Sequence, residues 1–189
     1  SPITFKDRCG FSMKKILILL LVLSLTGCSS STKPAASKGE VVDCVDVNHV
    51  AAKASDTLLN CLVGTEKISV ESLRGPLIVN VWGSWCGPCA DEMPIFVDFN
   101  NQAKGKVKLL GIAVEEAKAQ DSKDFIVANG ITWPNLYDAN GETRSTFGMG
   151  VPVTWFIDEQ GAVVYKHVGV VESTEELIEL TNKYLKVSI

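Results

Sequence analysis

Histidine is scarce in this 189-residue chain, with only His49 and His167 present. Neither is closely paired with a cysteine or with the other, so a zinc site built on Cys86 and Cys89 would lack its second pair of ligands. Basic residues form no cluster beyond the N-terminal leader and the net charge is −4, which gives nucleic acid no electrostatic footing. No glycine-rich phosphate loop, Ser-His-Asp order or paired catalytic carboxylates occur. No cofactor and no metal are therefore expected.

What the chain does carry is a cysteine pair in Trp82-Gly83-Ser84-Trp85-Cys86-Gly87-Pro88-Cys89. It follows an apolar run, Leu77–Trp82, that reads as a strand buried on both faces, and precedes a helix-like segment. Two intervening residues in the first turn of a helix bring both sulfurs within reach of one disulfide. The free N–H groups there favour negative charge. A free thiol titrates near pH ~8.5, and helix starts with Cys-x-x-Cys settings lower that to about 3.5–7.5. Cys86 is thus expected to be the more easily ionised thiol. Gly87 needs no side-chain space, and Pro88 suits the first helical turn because its fixed φ fits and its missing N–H is not required.

A leader precedes the working domain. Met13 sits where it would start, so residues 1–12, with Cys9, are read as upstream sequence and excluded from fold reasoning. Lys14 and Lys15 precede ten mostly aliphatic residues, 16–25, too short a run to span a bilayer comfortably, and Thr26-Gly27-Cys28 follows. The arrangement resembles a bacterial lipobox, with residues 13–27 a cleaved signal peptide and Cys28 carrying a diacylglyceryl group. Two acyl chains at ~0.8 kcal/mol per buried CH₂ would give stable anchoring. The alternative is an ordinary secretory signal with an incidental cysteine. Residues 28–39, small, polar and proline-containing, read as a flexible tether. Residues 40–189 are the size of one domain with a sizeable core.

Export puts the chain where disulfides persist. Cys44 and Cys61 lie outside the motif and are candidates for a structural disulfide, contributing about 3 kcal/mol in the chain-entropy model. Two ordinary buried thiols are the alternative.

The remaining pattern alternates strand and helix. Met93, Phe96 and Val97, with Ile95, give the segment after Cys89 an apolar face, and Pro94 predicts a kink. Residues 107–114 read as a strand, and residues 121–129 as a helix stopped by Asn129-Gly130. Residues 153–157 and 162–168 flank a polar turn and predict an antiparallel hairpin. Ser173-Thr174-Glu175-Glu176 is a capping box opening a final helix that buries Leu177, Leu180, Tyr184 and Leu185.

Trp-Cys-Gly-Pro-Cys after a buried strand, Pro94 five residues beyond Cys89, and Val151-Pro152 before a terminal hairpin and helix together resemble the thioredoxin fold from about Ser55 onward. The leader, the longer N-terminal part and the insertion before Val151-Pro152 resemble the TlpA/ResA group of membrane-anchored extracytoplasmic thiol–disulfide oxidoreductases. The resemblance implies an α/β fold with a central mixed sheet flanked by helices and an N-terminal extension. It also implies that Pro152 is cis and packs against the active sulfurs, leaving the Val151 backbone to pair with a bound peptide. Thioredoxin has a buried acid six residues before the first cysteine. This chain has Asn80 there, which cannot relay a proton.

Glu92 matches an acid of the TlpA/ResA group, and one turn from Cys89 it could help deprotonate the resolving thiol; a solvated first-turn glutamate is the alternative. Glu115 and Glu116 are expected to be solvent-exposed, with a place at the border of the site as the alternative. Trp85 is read as an apolar docking rim, with Trp82, Trp133 and Trp155 as packing residues and the two histidines as surface or structural.

The implied chemistry is disulfide exchange with exported protein thiols at the outer face of the cell membrane. Cys86 attacks, Cys89 resolves, and a membrane redox partner regenerates the pair. The Gly-Pro dipeptide points to a reductant, for example one serving cytochrome c maturation; a disulfide-forming oxidase is the alternative. A lipoprotein holding a soft ion such as Cu(I) on Cys86 and Cys89 is the reading from another class. Copper carriers of this fold are expected to use wider cysteine spacing and a distant histidine.

Overall fold

The apolar residues divide into two cores, one on each face of a seven-stranded sheet. The computed structural model describes residues 38–148 and 150–189. Residues 1–12, the leader, Cys28, most of the tether and Met149 lie outside the described residues. The last tether position, Gly39, donates its N–H to the Val127 carbonyl at 3.0 Å.

The strands are β1 (Leu58–Cys61), β2 (Lys67–Ser69), β3 (Leu77–Trp82), β4 (Lys108–Val114), β5 (Asn135–Asp138), β6 (Val153–Ile157) and β7 (Val163–Val168). They lie in the order β2-β1-β5-β4-β3-β6-β7. β3, β4 and β5 run parallel, while β6, β7, β1 and β2 join through antiparallel pairings, so the sheet is mixed. Helices α1 (Gly87–Ala103), α2 (Ala119–Ala128) and α4 (Thr174–Leu185) are joined by a single turn, α3 (Arg144–Phe147).

β3 matches the expected strand at both ends and is buried at every position. Its side chains alternate between the cores. Ile78 and Trp82 enter the one that holds Met93 and Phe96 of α1, Phe125 and Ile126 of α2, and Leu177 of α4. Leu77, Val79 and Val81 enter the other, which is covered by Cys44, Val70, Leu73 and Phe147. α1 continues through Pro94 to Ala103, burying Met93, Phe96 and Phe99 on one face. Residues 153–157 form a strand as expected and pair with β7, and the Ser173 hydroxyl caps α4 by accepting from the Glu176 N–H at 3.1 Å. β1, β2 and β5 have no counterpart among the strands expected from sequence. Each spans at most four residues, too short to build a periodic signal.

Cys44 and Cys61 are joined as a disulfide with Cα atoms 6.0 Å apart, tying the segment before the sheet to the end of β1. The link spans 17 positions and lies in the core opposite α1. Replacing both cysteines with alanine is expected to lower unfolding free energy by about 2–4 kcal/mol in urea denaturation. An unchanged midpoint and slope would remove the stabilising role.

Candidate active site

β3 ends at Trp82, and the chain turns through Gly83-Ser84-Trp85 to begin α1. Cys86 is the N-cap of α1, with extended backbone and a sulfur that accepts the Cys89 N–H at 3.2 Å. A donor aimed at the sulfur, together with the positive end of the helix, favours the thiolate over the thiol. Cys86 and Cys89 form a disulfide with Cα atoms 5.3 Å apart. Cys86 is 6% exposed and Cys89 is fully buried, so an incoming group reaches Cys86 first. Gly87 and Pro88 occupy the first turn.

Three groups hold the turn that carries Cys86. Glu116 is buried, and its carboxylate accepts both the Ser84 N–H and, at 2.6 Å, the Ser84 hydroxyl. This corrects the expectation of exposure: the residue lies two positions past the end of β4, and bonding to the neighbouring turn draws its carboxylate inward. Trp85, 57% exposed, is anchored by its indole N–H to the Val114 carbonyl at 3.2 Å. Gly83 leaves room for that ring, since a Cβ there would lie 2.6 Å from the indole. Below them Trp82 stacks on Phe125 and donates to the Asn135 side-chain oxygen at 3.1 Å. That bond passes over Gly111, where a Cβ would meet the Asn135 oxygen at 1.7 Å.

The Val151–Pro152 peptide is cis, and Pro152 precedes β6. A cavity of about 40 Å³ adjoins Val151, with Val81, Val114 and Phe147 as apolar lining and Arg144 at its edge. Arg144 pairs with Glu115, a residue with φ of 55° in the left-handed region. Glu115 is half-buried, not exposed as expected.

Glu92 is fully buried on α1 one turn beyond Cys89. Its Oε1 accepts the Asn80 amide N–H at 2.9 Å, and its Oε2 accepts the Val171 backbone N–H at 3.1 Å. Burial pushes its pKa up from 4.5 to about 7, against the opposing pull of those two donors and of the nearby His167. The solvated alternative is therefore excluded by position. Spacing placed Glu92 one turn below Cys89, but its depth depends on Asn80 and Val171, which are distant in sequence. His49 is exposed, His167 is half-buried against the Val170 carbonyl, and Trp133 and Trp155 are buried.

A carboxyl that binds its proton more tightly folded than unfolded favours the folded state at low pH. That stability is lost as pH rises from about 4.5 through about 7. The shift corresponds to roughly 3 kcal/mol at most. Urea unfolding of the oxidised protein should therefore show this extra decline with pH in wild type and not in Glu92→Gln. Parallel pH dependences would contradict the buried, proton-retaining acid.

The chain matches the AhpC/TSA family over residues 50–166. It is 30% identical to thiol-disulfide oxidoreductase ResA of Geobacillus thermodenitrificans, over 79% of this chain and 82% of that protein. It is 29% identical to ResA of Bacillus thuringiensis strain Al Hakam, over 88% of this chain and 95% of the other. The crystal structure of StoA from Bacillus subtilis superposes with a TM-score of 0.56 at 29% identity, covering 69% of this chain and 99% of that one. A cysteine pair capping a helix at the end of a buried strand, found in a chain with these relatives, places the protein in the AhpC/TSA family as a thioredoxin-like thiol–disulfide oxidoreductase similar to ResA and StoA.

Proposed function

We propose that the protein reduces disulfides in exported proteins at the outer face of the cell membrane, held there by lipid on Cys28 after removal of residues 13–27. Residues 28–39 form the tether and residues 40–189 the catalytic domain. The observation that carries the reading is the asymmetry of the pair: Cys86 receives an N–H and reaches the surface, while Cys89 is buried above a protonatable acid.

In the reduced enzyme the Cys86 thiolate attacks one sulfur of a substrate disulfide. A Cys86–substrate disulfide forms, and the other substrate sulfur leaves as a thiolate that takes a proton from water. Cys89 then gives its proton to Glu92 and attacks Cys86, releasing the second substrate thiolate. The enzyme dithiol is oxidised by two electrons to the Cys86–Cys89 disulfide, and the substrate disulfide is reduced by two to a dithiol. A membrane dithiol partner returns those electrons. Pro152 and Val151 form the wall along which the substrate peptide lies; among the described residues Val151 makes no backbone hydrogen bond. Trp85 supplies an apolar rim to that wall.

Direction rests on the Gly87-Pro88 dipeptide, which is thioredoxin-like. The reduction potential of the pair is expected near the thioredoxin value of about −270 mV and well below the roughly −120 mV of a strong oxidant. Equilibration with a glutathione or dithiothreitol series measures it, and a value at the oxidising end would turn the reading to a disulfide-forming oxidase. A Cys89→Ser variant expressed in the native host is expected to hold Cys86 in a mixed disulfide. Cytochrome precursors among the trapped partners support reduction; varied secreted proteins support oxidation. Glu92→Gln should slow release of the mixed disulfide on the order of 10²-fold, with a loss of its pH dependence near neutrality. A wild-type rate and profile would remove Glu92 from the mechanism.

A further inference from the structure

Asn80 sits in the middle of β3, paired with Gly111 of β4 on one side and Thr154 of β6 on the other. All the polar groups around it are out of reach of solvent: Asn80 is 1% exposed, and Glu92 and Thr154 are not exposed at all. Its amide nitrogen donates to Glu92 Oε1 at 2.9 Å and reaches Thr154 Oγ1 at 3.5 Å. Its carbonyl oxygen has no partner. A buried acceptor left empty is costly, and a polar side chain normally turns to avoid it.

The geometry of Glu92 explains why this one is tolerated. Oε2 faces the Val171 N–H, a backbone donor that cannot reverse, so Oε2 must remain an acceptor. The carbonyl-type oxygen is the better acceptor for that N–H, which favours the proton on Oε1, the oxygen that faces Asn80. With the amide as it stands, that proton would meet the Asn80 N–H, donor against donor. A half-turn of the carboxamide exchanges its two ends in almost the same volume. The Asn80 oxygen would then accept from the Glu92 hydroxyl and from the Thr154 hydroxyl together. Each ionisation state of Glu92 satisfies one end of the amide and strands the other.

We propose that Asn80 is a positioning residue whose carboxamide reverses with the proton on Glu92, donating to the carboxylate and accepting from the acid. The proposal rests on the relay reading of Glu92 and deepens it. When Cys89 passes its proton down, Asn80 and Thr154 supply an acceptor for the group that receives it, and β3 itself carries the second state of the relay. An aspartate at position 80 would add a second titrating acid there; an asparagine leaves the proton on Glu92 alone.

The other charged or titratable groups near Glu92 are the Cys86–Cys89 pair on its own helix and His167 of β7. His167 lies 4.0 Å from Glu176 of α4. β3 and β6 contribute the uncharged Asn80 and Thr154, and the segment before α4 contributes the Val171 N–H.

The test is nuclear magnetic resonance of the uniformly ¹³C,¹⁵N-labelled oxidised protein between about pH 5 and pH 9, following the Glu92 carboxyl carbon and the Asn80 amide protons. The Asn80 protons are expected to shift with the same midpoint as Glu92, the hydrogen-bonded one losing its downfield position as pH falls. In Glu92→Gln, Asn80 is expected to be invariant with pH. Asn80 protons that stay fixed through the Glu92 midpoint would overturn the reversal, as would a Glu92 that does not titrate in this range. So would an Asn80 shift that persists in Glu92→Gln, since His167 and Glu176 remain there and would be its cause. The relay reading fails separately, through wild-type release kinetics in Glu92→Gln, and that outcome leaves the resonance result standing.

Discussion

β3 is enclosed on both faces, and a strand so placed cannot slip by one residue without sending each side chain to the opposite core. Ile78 and Trp82 would exchange surroundings with Val79 and Val81, and Asn80 would lose Glu92. Each large apolar side chain buried in this way contributes about 1.5–3 kcal/mol, so the register is held by several such terms at once. The position of Cys86 follows from it. The turn after Trp82 is short, Glu116 pins it at Ser84, and α1 starts where the cysteine can cap it.

The same enclosure sets the electrostatics beneath the sulfurs. Glu92 lies beyond the first turn of α1, outside the expected reach of the helix-start charge, and gains two hydrogen bonds to its charged form, from Asn80 and Val171. Those bonds and the nearby His167 lower its pKa, and the net displacement is nonetheless upward to about 7. Desolvation in a full core outweighs them together, which leaves an acid that exchanges its proton near neutral pH.

What the sequence discloses follows from how local each feature is. Leu77–Trp82, the α4 cap and the cysteine pair are each written in fewer than about a dozen neighbouring residues, the hairpin within Val153–Val168, and each appears where the pattern puts it. The burial of Glu116 is not written locally, since it depends on Ser84, a partner 32 positions away. The helix that carries Glu92 is legible from its neighbours, but the depth of the carboxyl is not, because Val171 is 79 positions distant. Asn80 read as the loss of an acid. Only the facing of β3, α1 and β6 turns it into the partner of one.

Two disulfides of similar burial stand in this chain, and burial does not separate their chemistry. Cys44 and Cys61 are 1% and 7% exposed; Cys86 and Cys89 are 6% and 0%. The surroundings of the sulfurs differ in sign. Cys44 Sγ lies 3.8 Å from the Asn135 carbonyl oxygen, whose partial negative charge opposes a thiolate. Cys86 Sγ faces the Cys89 N–H at the start of a 17-residue helix, where partial positive charge favours one. Exchange proceeds through the thiolate, both as attacking group and as leaving group. A carbonyl beside one sulfur and an amide beside another thus give the two bonds opposite leanings toward the thiolate, which supports the proposed division into a bond of the fold and a bond that exchanges.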